Sequence, residues 1–124
     1  MVVSKIRVFE TGATRDSDIL KPDYEAYLSP AVLVRYGEYM KKHQTQKDGE
    51  RREGDNWQLG ISSKQYMKSM CRHFMDLWCL HRGVPVIDVD GEMVPDKQEV
   101  LCAMMFNIMG YLFEELKKSE EVKK

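Results

Sequence analysis

His73 and Asp76 stand three residues apart in a segment with helical apolar spacing. One helix face can therefore present an imidazole and a carboxylate to the same cleft, where they would share a water or an ion. Arg72 beside them offers a planar five-donor fork suited to phosphate. The same residues have plainer roles. His73 and Asp76 fit a surface pair, or an imidazole bonded to a neighbouring helix, and Arg72 fits an ion pair with Asp76 four positions on. Glu38, flanked by Tyr36, Gly37 and Tyr39, is the other carboxylate expected to turn inward, with solvent exposure as its alternative. Asn107, inside Met104-Met105-Phe106-Asn107-Ile108-Met109, must satisfy an amide in apolar surroundings, either by orienting a ligand base or by locking two helices in register. Arg15 and Lys21 lie six residues apart across turn-forming sequence, which lets two cations and free backbone N–H groups converge on one anion, or leaves them as ordinary surface charge. Tyr24, Tyr27 and Trp57 supply aromatic faces near these polar loops, to stack a purine or to anchor the core.

The elements that must position these groups are mostly helical. A turn-rich head runs over 1–28, with a short strand around Ile6, Val8 and Phe9 and turns at Thr11 to Asp16 and at Lys21-Pro22-Asp23. A first helix is expected from Ser29-Pro30 to about His43, with Gly37 weakening its middle. Lys47 to Gly54 reads as a charged loop, and Asp55 to Gly60 as an irregular stretch anchored by Trp57. A second helix opens at Ser62 with Gln65 as a capping box and stops at Gly83. Its expected buried stripe is Tyr66, Met67, Met70, Phe74, Leu77 and Trp78, and its polar stripe is Gln65, Ser69, Arg72, His73 and Asp76. The alternation around Asp90-Gly91 predicts a β-hairpin at 84–94. A third helix starts at Asp96, with Glu99 completing a second capping box, and runs to about Lys118 before a charged, frayed tail over 119–124. Being apolar over much of its circumference, it is expected to be enclosed within the subunit or between subunits, which predicts a homo-oligomer. The fold class is thus mostly α: one compact helical domain over 1–124, a helical core over 29–118 of three main helices, an irregular head and a small hairpin insertion.

Composition narrows the function. With 124 residues, 43% apolar and 31% charged, the chain has the make-up of a single folded domain. Its net charge of −1 provides no global field for duplex nucleic acid, so any phosphate is gripped locally. No apolar run is long enough for a membrane span, and no signal peptide is expected. Three cysteines inside helical patterns point to a reducing cytosol. Cys71, His73, Cys79 and His81 cannot converge on one zinc ion, because helix positions two apart point about 200° away from each other. Walker, GxGxxG and HExxH motifs and a nucleophile elbow are absent from the sequence.

In order along the chain, Thr11-Gly12-Ala13-Thr14-Arg15-Asp16, Lys21-Pro22-Asp23-Tyr24-Glu25, Arg35 to Met40, Asp55-Asn56-Trp57-Gln58, Arg72 to Trp78 and Phe106 to Leu112 resemble the bacteriophage family named for the N-terminal domain of dATP/dGTP diphosphohydrolase. The resemblance spans about Phe9 to Leu116. It implies a phage-encoded, largely helical protein of the host cytoplasm, related to MazG-type pyrophosphohydrolases that release pyrophosphate from nucleoside triphosphates with magnesium held by helix carboxylates. On that reading Asp76 and Glu38 hold metal, His73 orients water, and Arg15, Lys21 and Arg72 hold phosphates. Trp57 or Tyr24 stacks the base, with Asn56 and Asn107 also in the nucleotide site, in a cleft between the second helix and the amino-terminal turns. The MazG pattern of ExxE on one helix and ExxD on the next is not carried over: Glu50-Arg51-Arg52-Glu53 is the sole ExxE, in a loop, and ExxD does not occur. That carboxylate shortage keeps a second expectation beside hydrolysis, a sponge that sequesters a purine nucleotide signal without cleaving it. A third is a virion or regulatory protein that has kept the fold alone.

Overall fold

Four α-helices, three of them long, hold most of the residues that the computed structural model describes, namely 6–87, 91 and 96–123. The mostly α class is therefore observed. The chain divides between Leu33 and Val34 into two compact units, each taken by itself below.

In the first unit, β1 (Ile6–Val8) pairs antiparallel with β2 (Thr14–Asp16), placing Arg7 opposite Arg15. The turn between them closes when Phe9 N–H donates to the Ala13 carbonyl at 2.8 Å and Gly12 N–H to the Phe9 carbonyl at 2.9 Å. Gly12 sits at φ 91°, where only glycine is unstrained. Because the reversal is complete at Ala13, Thr14, Arg15 and Asp16 are extended rather than the turn the sequence suggested. One helical turn, α1 (Tyr24–Tyr27), follows, with the Asp23 carboxylate accepting from Ala26 N–H at 3.2 Å. The expected turn at Lys21-Pro22-Asp23 thus leads directly into a helix cap.

α2 (Pro30–Lys42) begins where Ser29 and Pro30 predicted, Ser29 Oγ accepting from Val32 N–H at 3.3 Å. α3 (Ser63–His81) and α4 (Lys97–Lys123) form the main pair of the second unit. Ser62 caps α3 by accepting from Gln65 N–H at 3.2 Å, but the Gln65 side chain donates onward to Ser69 Oγ, so the capping box is only half made. The stop at Gly83 is as expected. Gly83 N–H reaches the Leu80 carbonyl and Val84 N–H the Cys79 carbonyl at 2.8 Å, with Gly83 at φ 73°, a Schellman ending. At the start of α4, Asp96 accepts from Gln98 N–H at 2.8 Å, while Glu99 is drawn away by cations of α2 and completes no box. α4 also runs to Lys123, so the segment expected to fray after Lys118 is helical. The hairpin expected at 84–94 falls largely outside the described residues.

α4 is enclosed on one side only. Val100, Ala103, Asn107 and Gly110, spaced by three and four, form its buried inner face. These residues are small or medium, which lets α3 approach closely: a Cβ added at Gly110 would overlap the ring of Tyr66, the most deeply buried large side chain. On the opposite side Leu101, Ile108, Met109, Leu112 and Leu116 are exposed. The stripe expected to be buried on α3 is corrected in the same way. Only Tyr66 is buried, Met70 and Leu77 are half-buried, and Met67, Phe74 and Trp78 are exposed. Helical periodicity finds an apolar face but not what covers it.

Gly110→Ala should cost about 1–3 kcal/mol, the usual penalty for overpacking a close helix contact. Urea denaturation followed by circular dichroism checks this, and an unchanged midpoint would show that the two helices can move apart freely. Tyr66→Phe should be neutral or mildly stabilising, since the Tyr66 hydroxyl is buried with no hydrogen-bond partner among the described residues.

Candidate functional site

α2 is held to α4 by charge. Glu99 Oε1 lies 3.2 Å from Lys42 Nζ and 3.5 Å from Arg35 Nη2, and its Oε2 lies 3.7 Å from His43 Nε2. Arg35 also donates to Gln98 Oε1 at 2.9 Å and lies 3.6 Å from Asp96. Between these contacts Tyr39 packs its ring 4.3 Å from that of His43. Burial pushes the Tyr39 phenol up to about 12, reinforced by the Glu99 charge, so it stays a neutral hydrogen-bonding group.

The chain leaving α2 folds back at once. Thr45 bridges Arg51, Gln46 N–H donates to the Glu50 carbonyl at 2.7 Å, and Gly49 takes the turn at φ 88°. Gln44 fastens the base of this arm: its backbone carbonyl accepts from Arg52 N–H at 2.8 Å, and its side-chain amide donates to the Arg52 carbonyl at 3.1 Å. What the sequence presented as a charged loop is thus a hairpin arm. A short 3-10 turn over Asn56–Leu59 follows, fixed by Trp57, whose indole meets Phe113 edge-on at 4.9 Å and Phe106 at 6.4 Å.

These pieces enclose a cavity of about 460 Å³, within the size range of small-molecule sites. Tyr39, Trp57 and Phe106 give it aromatic walls, Met40 and Ile61 add apolar surface, and Asn56 adds an amide. Its charged lining is Lys41, Arg51 and Arg52 against Glu53. The cavity is therefore locally cationic in a chain whose net charge is −1. Asn56 and Trp57 of the expected site line it. Tyr39, His43, Gln44, Arg51 and Arg52 also line it and were not singled out in the sequence, although Asp48-Gly49 is a hairpin-turn dipeptide that marks the arm.

The other candidates are described in their own units. Glu38 is exposed on α2 between the lining residues Gly37 and Tyr39. On α3, Arg72 donates to Ser69 Oγ at 3.2 Å rather than pairing with Asp76. His73 and Asp76 are half-buried. Asn107 is buried and donates to the Ala103 carbonyl at 2.9 Å, so its amide is engaged within its own helix. In the first unit Arg15 and Lys21 line one hollow together with Arg7, Asp16 and Asp18, as their expected convergence requires. Arg7 is occupied there by Asp18 at 3.3 Å and by the Asp16 carbonyl. Tyr24 and Tyr27 are exposed. Among the described residues no three His, Cys, Asp or Glu side chains gather as a metal site. No helix among them is long and apolar enough to cross a membrane.

His73 is the polar-stripe residue with a distinct electrostatic state. Its pKa is lowered, chiefly because burial penalises the charged ring, with Arg72 and His43 adding to the effect and Asp76 opposing it. Just below the ordinary imidazole pKa the unfolded chain binds the proton more readily than the folded one, so this residue's contribution to stability is present above that value and is lost as pH falls. Urea midpoints should therefore drop between about pH 7.5 and 5.5, and His73→Gln should flatten that slope. An identical slope in the variant would show that His73 titrates normally.

Compared with models of protein families, with curated proteins and with solved structures, the chain matches none.

Proposed function

We propose that the protein binds a purine nucleotide in the cavity between α2, the 44–52 arm, the 56–59 turn and α4, and acts by sequestering it. The observation that carries this reading is the pairing of aromatic walls with a cationic rim: Tyr39 and Trp57 suit a base, while Lys41, Arg51 and Arg52 suit phosphate oxygens. Arg52 supports it further, because its guanidinium has no side-chain partner among the described residues and remains available to an anion. Arg15 and Lys21 offer a second, smaller gathering of positive charge. In keeping with the sequence resemblance, the setting is a phage-infected cell's cytoplasm, and the working form is an assembly of identical chains.

Magnesium-dependent hydrolysis to monophosphate and pyrophosphate is the second reading, favoured by Asn56-Trp57, a pair from the resemblance, lining the cavity. Sequestration stands first because the carboxylates assigned to metal, Glu38 and Asp76, belong to no three-residue metal-binding group among the described residues.

Calorimetric titration with dATP, dGTP, ATP and GTP should give saturable binding. Arg51→Ala and Arg52→Ala together should weaken it by about 10- to 100-fold, the loss expected for charge-assisted hydrogen bonds. Nucleotide recovered intact after incubation with Mg²⁺ supports sequestration, whereas monophosphate and pyrophosphate would establish the hydrolytic reading. Silence across the panel overturns both.

A further inference from the structure

We infer that the hollow on the β1–β2 ribbon of the first unit is a binding site for a phosphate dianion, as the free ion or as the end of a phosphate ester, held by Arg7, Arg15 and Lys21. All of its lining belongs to that unit, so the site is complete without the cavity of the second. Strand register creates it. Arg7 stands directly opposite Arg15 in the antiparallel pair, which puts two guanidinium groups on one face of the ribbon. Like charges so placed cost stability unless negative charge answers them.

The protein answers only one of the two. Arg7 Nη1 lies 3.3 Å from Asp18 Oδ2, its Nε donates to the Asp16 carbonyl at 3.2 Å, and its guanidinium lies 5.4 Å from the centre of the Phe9 ring. Arg7 is thereby fixed, with Nη2 left to donate. The Arg15 guanidinium and the Lys21 ammonium have no partner among the described residues. Of the acidic residues in the hollow, Asp18 is spent on Arg7, and Asp16, next to Arg15 along β2, turns to the opposite face by strand alternation. Asp18 also places the third cation. Lys21 N–H donates to the Asp18 carbonyl at 2.8 Å and Ile19 N–H to Ser17 Oγ at 3.3 Å, so the ion pair that clips Asp18 to β1 brings Lys21 to the hollow. Two unanswered positive charges beside a fixed guanidinium match one phosphate dianion, whereas a single carboxylate would leave one of them unanswered. At about 410 Å³ the hollow is larger than a phosphate ion, which leaves room for an ester substituent.

The inference goes beyond the nucleotide reading of the cavity and does not rest on it. Proton–nitrogen NMR spectra of the whole protein, titrated with inorganic phosphate and separately with methyl phosphate against sodium chloride of equal ionic strength, should show saturable shifts of the Gly12, Arg15 and Lys21 amides. Arg15→Gln and Lys21→Gln, both at exposed positions, should each weaken binding about tenfold, the loss of one charge-assisted contact, while Lys68→Gln removes the same charge from an exposed position of α3 and leaves binding unchanged. Saturation by both phosphates supports a site for the phosphoryl end of an ester, and saturation by inorganic phosphate alone supports a site for the free ion. Shifts that sodium chloride reproduces, or that stay unchanged in both hollow variants, overturn the site. Shifts that vanish in the Arg51→Ala, Arg52→Ala protein belong to the cavity and overturn it too. Silence towards both phosphates, with nucleotide still bound in the cavity, overturns the hollow and leaves the proposed function standing.

Discussion

Glu99 is the carboxylate on which the second unit's arrangement turns. It receives Arg35 and Lys42, seven residues apart and so two turns apart on one face of α2, and His43 at the end of that helix. Each contact is partly exposed and individually modest. Taken together they fix α2 along its axis, because the helix cannot slide without breaking contacts at both ends at once. The 44–52 arm starts directly after α2, so the position of Arg51 and Arg52 is inherited from this one carboxylate. Trp57 fixes the other rim against Phe106 and Phe113 of the same α4. Both walls of the cavity are thus referred to one helix.

Helix boundaries were legible because they depend on local chemistry. Ser29-Pro30, Ser62 and Gly83 act through hydrogen bonds within a few residues, and each works where the sequence placed it. The side chains three residues after the caps were misread for a related reason. A capping box competes with every other partner a Gln or Glu can find, and Gln65 finds Ser69 while Glu99 finds two cations and an imidazole that lie distant in sequence. No local pattern records those competitors. The Arg15 and Lys21 pairing was legible in outline, but the strand that carries Arg15 depends on the turn closing at Ala13, one residue after the glycine that permits it.

The cavity itself was half legible. Asn56 and Trp57 announced themselves as an amide and an indole in an irregular stretch. Arg51 and Arg52 did not, because a run of alternating charge ordinarily belongs to a solvated loop and its tertiary placement depends on Gln44 tying the arm back to α2. Conversely, the polar stripe of α3 drew attention through its spacing alone. Its arginine is turned to Ser69, and burial lowers the pKa of its histidine, neither of which spacing alone records.

The two faces of α4 connect stability to assembly. Among the described residues the buried apolar set is small, Tyr66, Val86, Val100, Cys102 and Ala103, while large aliphatic and aromatic side chains stand exposed in helical register on α3 and α4. Scattered surface leucines would need no explanation, but residues repeating on one face do. The outer stripe is thus distinct from the inner one set by Gly110 and Tyr66. Since Glu99, Phe106 and Phe113 project from this same helix to hold the cavity walls, whatever stiffens α4 from outside also stiffens the site.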